Sequence, residues 1–170
     1  MSAEALLNNF LDSAVSQTGE LNTEYLLCPE LDAAPASIEK WDVKTGTFTD
    51  KKTGEERQWA ILQLTWNVDS PEAREVVKRD DVKVGQSVSL SLTAEGRLDP
   101  DNNQALGRLC KLFDLEIGSM AVRELFNSMI GQFAYVKVAH RALVNKDKEA
   151  LLDESGNQRY SAEVVGVGKE

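Results

Sequence analysis

The stretch Glu56–Val68, ERQWAILQLTWNV, decides how the rest of the chain is read. Side chains along a strand alternate between faces with period two. Ala60, Leu62, Leu64, Trp66 and Val68 therefore share one face, and Trp59, Ile61, Gln63 and Thr65 share the other. The two tryptophans are an odd number of residues apart, so they point to opposite sides of one sheet. Trp66 is expected in a core. Trp59 is then either a binding residue or a ring covered by a loop, by the helical insertion that follows the strand, or by the N-terminal segment.

Working outward, SIEKWDVKTGTF (37–48) and the polar TDKKTGEE (49–56) precede this strand, and together they predict a long β-hairpin whose connection holds Lys51, Lys52 and Gly54. Pro71 at a first helical position opens a short helix over 71–80. In VGQSVSLSLTAEG (84–96), Val88, Leu90 and Leu92 alternate with Ser87, Ser89 and Ser91, a third strand with a serine ladder on its polar face. Two helical segments follow, NNQALGRLCKLFDL with Leu106, Leu109, Cys110 and Phe113 on one stripe, and SMAVRELFNSMIG ending at Gly131. QFAYVKVAHRAL (132–143) is a strand with Ala134, Val136 and Val138 on one side and Phe133, Tyr135 and Lys137 on the other. A long polar connection, VNKDKEALLDESGNQ, leads to a last strand, RYSAEVVGV.

This order predicts a mainly β protein with α-helices: an OB-fold-like five-stranded Greek-key barrel, with helices between strands 3 and 4 and an N-terminal helix. A small β-sandwich and an α+β roll use the same elements. The barrel is preferred because every strand has one apolar and one mixed face. At the front, Ala3–Val15 reads as an amphipathic helix behind Ser2 as N-cap. CPELDAAPAS (28–37), with two prolines among alanines and acids, reads as a linker, which divides the chain into 1–35, an acidic helix and linker, and 36–170, the barrel.

Charge follows the same division. The net charge of −9 opposes nucleic-acid binding in general, yet residues 1–35 hold six acids and no lysine or arginine, and the remainder carries all 19 basic residues against 22 acids. An acidic arm is thus attached to a nearly balanced domain. No apolar run nears the roughly 20 residues of a membrane span, and the first residues lack the basic and apolar regions of a secretory signal. A cytoplasmic location without membrane contact is expected. Cys28 and Cys110 have no CxxC partner and read as free thiols; His140 is the only histidine, and neither a zinc set nor a nucleophile–base pair nor a phosphate-binding glycine loop is present. No enzyme, metal or cofactor is expected.

The face opposite the core carries Trp59, Ile61, Gln63, Thr65, the serines, Tyr135, Lys137 and Arg141. Exposed rings among hydroxyls and cations suit sequence-tolerant binding of single strands, each stacked base contributing about 1–3 kcal/mol. The candidate stacking residues are Trp59, Tyr135 and Trp41. The candidate phosphate contacts are Lys40, Lys44, Lys51, Lys52, Arg57, Lys137 and Arg141. Lys146 and Lys148 lie in the second hairpin loop that would flank such a groove.

Over about residues 36 to 168, the hairpin, the helix LGRLCKLF, the MIGQFAYVKVAH entry into the fourth strand and the closing RYSAEVVGV resemble the phage-encoded single-stranded DNA-binding proteins. The resemblance implies a non-catalytic OB-fold that coats single-stranded DNA in replication or recombination, in the host cytoplasm. Such proteins often end in an acidic tail that recruits replication or recombination partners; here the acidic segment comes first and is the candidate for that role. The alternative reading is an acidic OB-fold-like adaptor or inhibitor that binds a protein and no nucleic acid. Acids of 71–81 folding over the Trp59 face would favour it.

Overall fold

The computed structural model describes residues 2–12, 26–116, 118 and 120–169. Five strands, β1 (Leu31–Thr49), β2 (Glu56–Val68), β3 (Lys83–Leu90), β4 (Phe133–Ala142) and β5 (Tyr160–Gly168), form one sheet. It closes into a ring in the order β1-β2-β3-β5-β4. Neighbours are antiparallel except β3 and β5, which run parallel and meet at Gly85 and Glu163. Four helices accompany the sheet among the described residues: α1 (Ala3–Asp12), α2 (Pro71–Val77), α3 (Gln104–Leu112) and α4 (Val122–Met129). The protein is therefore mainly β, and none of these helices is long and apolar enough to cross a membrane.

The inward face follows the period-two reading. Leu62, Leu64, Trp66 and Val68 of β2, Val84, Val88 and Leu90 of β3, and Ala134, Val136 and Val138 of β4 are buried in one cluster. The α3 stripe Leu106, Leu109, Cys110 and Phe113 joins it, as do Leu125, Phe126 and Met129 of α4. Trp66 is wholly enclosed, with Phe113 beside it at 6.4 Å and its indole N–H donated to Gln86 Oε1 at 2.9 Å. A buried indole needs such an acceptor. Ser70 caps α2 as expected of a serine before Pro71, its Oγ accepting the Ala73 N–H.

Two expectations are revised. The segment predicted as a linker is the first third of β1, which starts at Leu31 and pairs with β4 from Leu31 opposite Val138 to Ser37 opposite Phe133. Ala34, Ala36 and Ile38 are buried, so the alanines are small inward residues of a strand, and Pro35 is accommodated because its carbonyl still accepts the Asp69 N–H. The helix α1 ends at Asp12, and the rest of the predicted Ala3–Val15 segment lies outside the described residues, as do Glu20 and Glu24 of the acidic arm.

β1 also shifts register between Ile38 and Lys40. This bulge inserts one residue and changes which parity faces inward. Before it the even positions are buried; after it Trp41 and Val43 turn towards the core and Lys40, Asp42, Lys44 and Gly46 turn outward.

The polar connection between β4 and β5 is an ordered arm. Asn145–Glu149 and Asp153–Asn157 are two copies of one turn, which recurs at Thr93–Arg97 after β3. In each, the first residue exchanges bonds with the fifth through backbone and side-chain oxygen: Asn145 Oδ1 accepts the Glu149 N–H at 3.0 Å, Asp153 Oδ1 the Asn157 N–H at 2.9 Å, and Thr93 Oγ1 the Arg97 N–H at 3.2 Å. The fourth residue is left-handed, Gly96, Gly156 and, with a side chain, Lys148 at φ 61°. Leu143, Leu151 and Arg159 are linked N–H to carbonyl in a closed triangle, and Gln158 Nε2 donates to all three of their carbonyls.

Candidate nucleic-acid interface

Cross-strand register builds the outward face of β1, β2 and β3 row by row. Lys40 faces Thr65 and Gly85; Asp42 faces Gln63 and Ser87; Lys44 faces Ile61 and Ser89; Gly46 faces Trp59; Phe48 faces Arg57. β3 ends opposite Ala60, so beyond that point β1 and β2 continue as a two-stranded ribbon. Trp59 and Phe48 sit on this ribbon, and the Asp50–Glu55 turn with Lys51 and Lys52 forms its tip.

Trp59 is 38% exposed, against 0% for Trp66, so the odd spacing separates the two as predicted. Its ring lies against Gly46: a Cβ built there would stand 2.4 Å from Cζ2 and 2.6 Å from Nε1. Only a residue without a side chain permits that approach. The ring is thereby held against the strand on one side and open on the other. Neither α1 nor the acids of α2 supplies a lining residue to the recess beside it. Asp69, Asp80 and Asp81 gather instead with Arg74 and Phe133 around a cleft of about 350 Å³ at the far end of β2. Trp59 and Val68 are nine residue steps apart on the strand, about 30 Å when extended.

The predicted site residues divide into two patches. Trp59, Lys40, Lys44, Lys51, Lys52 and Arg57 share the β1–β2 face and ribbon. Tyr135 and Lys137 lie on β4, where Tyr135 opposes Pro35, some eleven residues and about 35 Å of strand from Gly46. Tyr135 is half-buried and packs edge-on against Phe133 at 5.4 Å. Trp41 belongs to neither patch: the register shift turns it towards α4, where its N–H is donated to Asn127 Oδ1 at 2.9 Å and its ring meets Phe126 at 5.3 Å. It is a packing residue.

The cations differ in availability. Arg57 is paired with Asp50 at 3.3 Å and Arg141 with Glu163 at 3.1 Å. Lys40, Lys44, Lys51, Lys52 and Lys137 are exposed and have no ion pair among the described residues. Exposed pairs such as Arg57–Asp50 contribute under about 1 kcal/mol, so a phosphate can displace the carboxylate. Lys83 is held by Glu39 and Asp81, and their hydrogen bonds and charges push its pKa up. Over 40–57 five cations face four carboxylates, a locally balanced surface on a strongly acidic chain.

Phe48 escaped the sequence reading. It is 48% exposed and occupies the row next to Trp59. Lys44, Gly46 and Phe48 share a parity, but the bulge that sets it outward leaves no mark in the sequence. Ser87 and Ser89 are exposed on the same face, whereas the Ser91 backbone is fastened to Asn103 at the start of α3. His140 is an exposed strand residue whose Nε2 donates to the Cys28 carbonyl at 2.7 Å. Cys28 and Cys110 are free and buried, and burial raises both thiol pKa values. Among the described residues no group of three or more His, Cys, Asp or Glu side chains is arranged to hold a metal ion.

No protein-family model matches the chain, and no curated protein matches it either.

Proposed function

We propose that the protein binds single-stranded DNA through the outward face of β1–β3 and the β1–β2 ribbon, on a barrel of the OB type. The observation that carries the reading is Trp59, a tryptophan on an outward strand face, seated on Gly46 and flanked by Phe48, by unpaired Lys44 and by the Lys51–Lys52 tip. Rings that stack bases and cations that meet phosphates are the two requirements of sequence-tolerant single-strand binding. The strand order β1-β2-β3-β5-β4 and the helices between β3 and β4 support the OB assignment. Asp80 and Asp81 gather with Asp69 at the other end of β2 from Trp59, which favours DNA over a protein partner on this face.

The resemblance to phage-encoded single-stranded DNA-binding proteins extends the proposal to DNA exposed during phage replication or recombination, in the host cytoplasm and without catalysis. The β4 patch of Tyr135 and Lys137 lies outside the primary contact in this scheme. Arg141, tied to Glu163, contributes little.

The test is intrinsic fluorescence during titration with a thymine oligonucleotide at low and moderate salt. Quenching of wild-type emission that is abolished in Trp59→Ala, with affinity weakened by about 1–3 kcal/mol, is the expected result. Unchanged affinity in that variant would remove Trp59 and the proposal with it. A second reading, a protein-interaction role for the acidic segment, rests on α1, where Leu6, Leu7 and Leu11 are each more than half exposed and no residue is buried. Partner capture that survives Trp59→Ala and is lost on removal of residues 1–12 would favour it.

A further inference from the structure

The second half of β1 has an open side. β1 pairs with β4 only as far as Ser37, and the Gln132 carbonyl and the Gly131 N–H close on Ile38 just beyond. From Lys40 onward β2 is its only strand neighbour among the described residues. The Asp50 N–H is donated to the Glu55 carbonyl at 2.8 Å, which sets the alternation of the ladder: even residues from Lys40 to Asp50 bond to β2, and odd ones face away. The backbone N–H and carbonyl of Trp41, Val43, Thr45, Thr47 and Thr49 accordingly make no hydrogen bond among the described residues. Nothing blunts this edge. Between Trp41 and Thr49 there is no proline and no register shift, and the two charges, Asp42 and Lys44, cancel. Val43, Thr45, Thr47 and Thr49 are β-branched, the side chains that favour a strand.

We infer that this edge is the interface of a two-fold dimer, in which β1 of a second copy runs antiparallel to β1 with Thr45 opposite its own symmetry mate. Hydrogen bonding selects the register. Odd residues must meet odd ones, and only a two-fold at Thr45 pairs all five on both copies: Trp41 with Thr49, Val43 with Thr47, and Thr45 with Thr45. Each such pair exchanges two bonds, so ten backbone bonds form, as many as a typical protein interface carries. Charge agrees with this register. On the outward face Lys40 stands opposite Asp50 of the second copy, Asp42 opposite Phe48 and Lys44 opposite Gly46, so that no like charges meet. A two-fold at Lys44 would set two lysines face to face, one at Gly46 would set Asp42 against Asp50, and one at Val43 would leave Thr47 opposite Glu39 at the bulge and Thr49 unpaired. The pairing does not depend on the single-strand reading, but one consequence rests on it. Trp59 lies against Gly46, and Lys44 of the second copy comes to stand on the far side of that glycine. A strand stacked on Trp59 then meets a cation that the second copy supplies.

Sedimentation equilibrium of the full chain across the micromolar range, without DNA, should report twice the 18.8 kDa chain mass at the upper end. Thr45→Cys places a thiol on the two-fold axis, at a Cα separation of about 5.5 Å that a disulfide spans, and mild oxidation should link it to its mate. Thr49→Cys, about 26 Å along the strand from its own mate, should stay a free thiol, and the buried Cys28 and Cys110 serve as the common background. Thr45→Pro removes an edge N–H without touching the β2 ladder, and should sediment at the mass of one chain with unchanged circular dichroism. Equal cross-linking of the two cysteine variants, or a wild-type mass that stays at one chain, overturns the dimer. The oxidised Thr45→Cys dimer should bind a thymine oligonucleotide several-fold more tightly than Thr45→Pro. Equal affinities overturn the shared cation while the dimer stands, and absence of binding by both overturns only the single-strand reading.

Discussion

Trp66 is the residue at which the division of the sheet into two faces can be measured. It is fully enclosed, its N–H is donated to Gln86 and its ring meets Phe113. Truncation to alanine costs about 3–5 kcal/mol for the lost side chain. It also strands the Gln86 carbonyl, for a further ~1–3 kcal/mol. That sum approaches the whole stability of a typical domain, about 5–15 kcal/mol, so Trp66→Ala is a poor probe. Trp66→Phe keeps an aromatic ring against Phe113 and removes the donor; the expected loss is about 2 kcal/mol. With a urea slope near ~2 kcal/mol/M this lowers the unfolding midpoint by about 1 M. The double variant Trp66→Phe, Gln86→Leu removes both partners and should recover most of the loss, because replacing a hydrogen-bonded pair by apolar groups of similar shape is nearly neutral. Trp59→Phe, on the open side of the ribbon, should change stability by no more than about 0.5 kcal/mol, a midpoint shift of about 0.25 M. Urea unfolding followed by far-UV circular dichroism is the assay. A Trp59→Phe loss as large as that of Trp66→Phe would refute the assignment of faces. A double variant no more stable than Trp66→Phe would refute the role given to the indole–carboxamide bond.

Gly46→Ala places a methyl group about 1 Å too close to the Trp59 ring for ordinary contact; the ring should be lifted from the strand, with red-shifted emission and several-fold weaker oligonucleotide binding but an unchanged fold by circular dichroism. Lys51→Glu with Lys52→Glu should weaken binding to all sequences alike and make its salt dependence shallower, since both would contact phosphate; an unchanged salt slope would take the ribbon tip out of the site. Deleting residues 1–25, which keeps all of β1, removes four of the arm's six carboxylates and should tighten single-strand binding at low salt, with a gain that fades as salt screens the competition; deleting 1–35 instead removes Leu31, Ala34 and Pro35 from the β1–β4 pairing and should unfold the ring. The thiols of Cys28 and Cys110 are held protonated by burial, so their contribution to stability is fully present below the unfolded thiol pKa and is lost as pH rises from there through the raised folded value; both should resist a thiol reagent at pH 8 in the native protein and react at once in urea.

Much of this architecture was legible in ERQWAILQLTWNV and in the serine ladder, because period-two alternation survives wherever a strand has one buried face. Trp66, Leu62 and Leu64 fell inside and Trp59 outside on that signal alone. It gives no face for Trp41, where one inserted residue, Glu39, changes parity in the middle of β1; nothing in SIEKWDVKTGTF marks a bulge. It was overruled by composition at CPELDAAPAS, where prolines and alanines read as a linker although Ala34, Ala36 and Ile38 already alternate. The turn repeat at 145–149 and 153–157 was hidden for a different reason. Its identity lies in backbone conformation and one side-chain acceptor, which Asn145 and Asp153 supply equally, while the left-handed position tolerates both Lys148 and Gly156. Separation of Tyr135 from Trp59 depends on which end of β1 each strand meets, and no local pattern records that.

Closing the ring has a kinetic side. β1, β2 and β3 follow one another in sequence and can pair as soon as they are made, whereas Leu31 must find Val138 and Gly85 must find Glu163 across long stretches of the chain. Contacts so distant in sequence form slowly. Until they do, the Leu31–Ser37 segment of β1 and the whole of β3 are unpaired edges, and an unpaired edge recruits strands from other molecules. Pro35 does not guard the first of these edges, because its carbonyl accepts the Asp69 N–H on the β2 side and the N–H that a proline lacks would point the same way; the charge on this segment is that of exposed Asp32. A carboxylate on an edge discourages the approach of a second strand, and replacing Asp32 with valine, a better strand former, should raise the fraction lost to aggregates on refolding from urea.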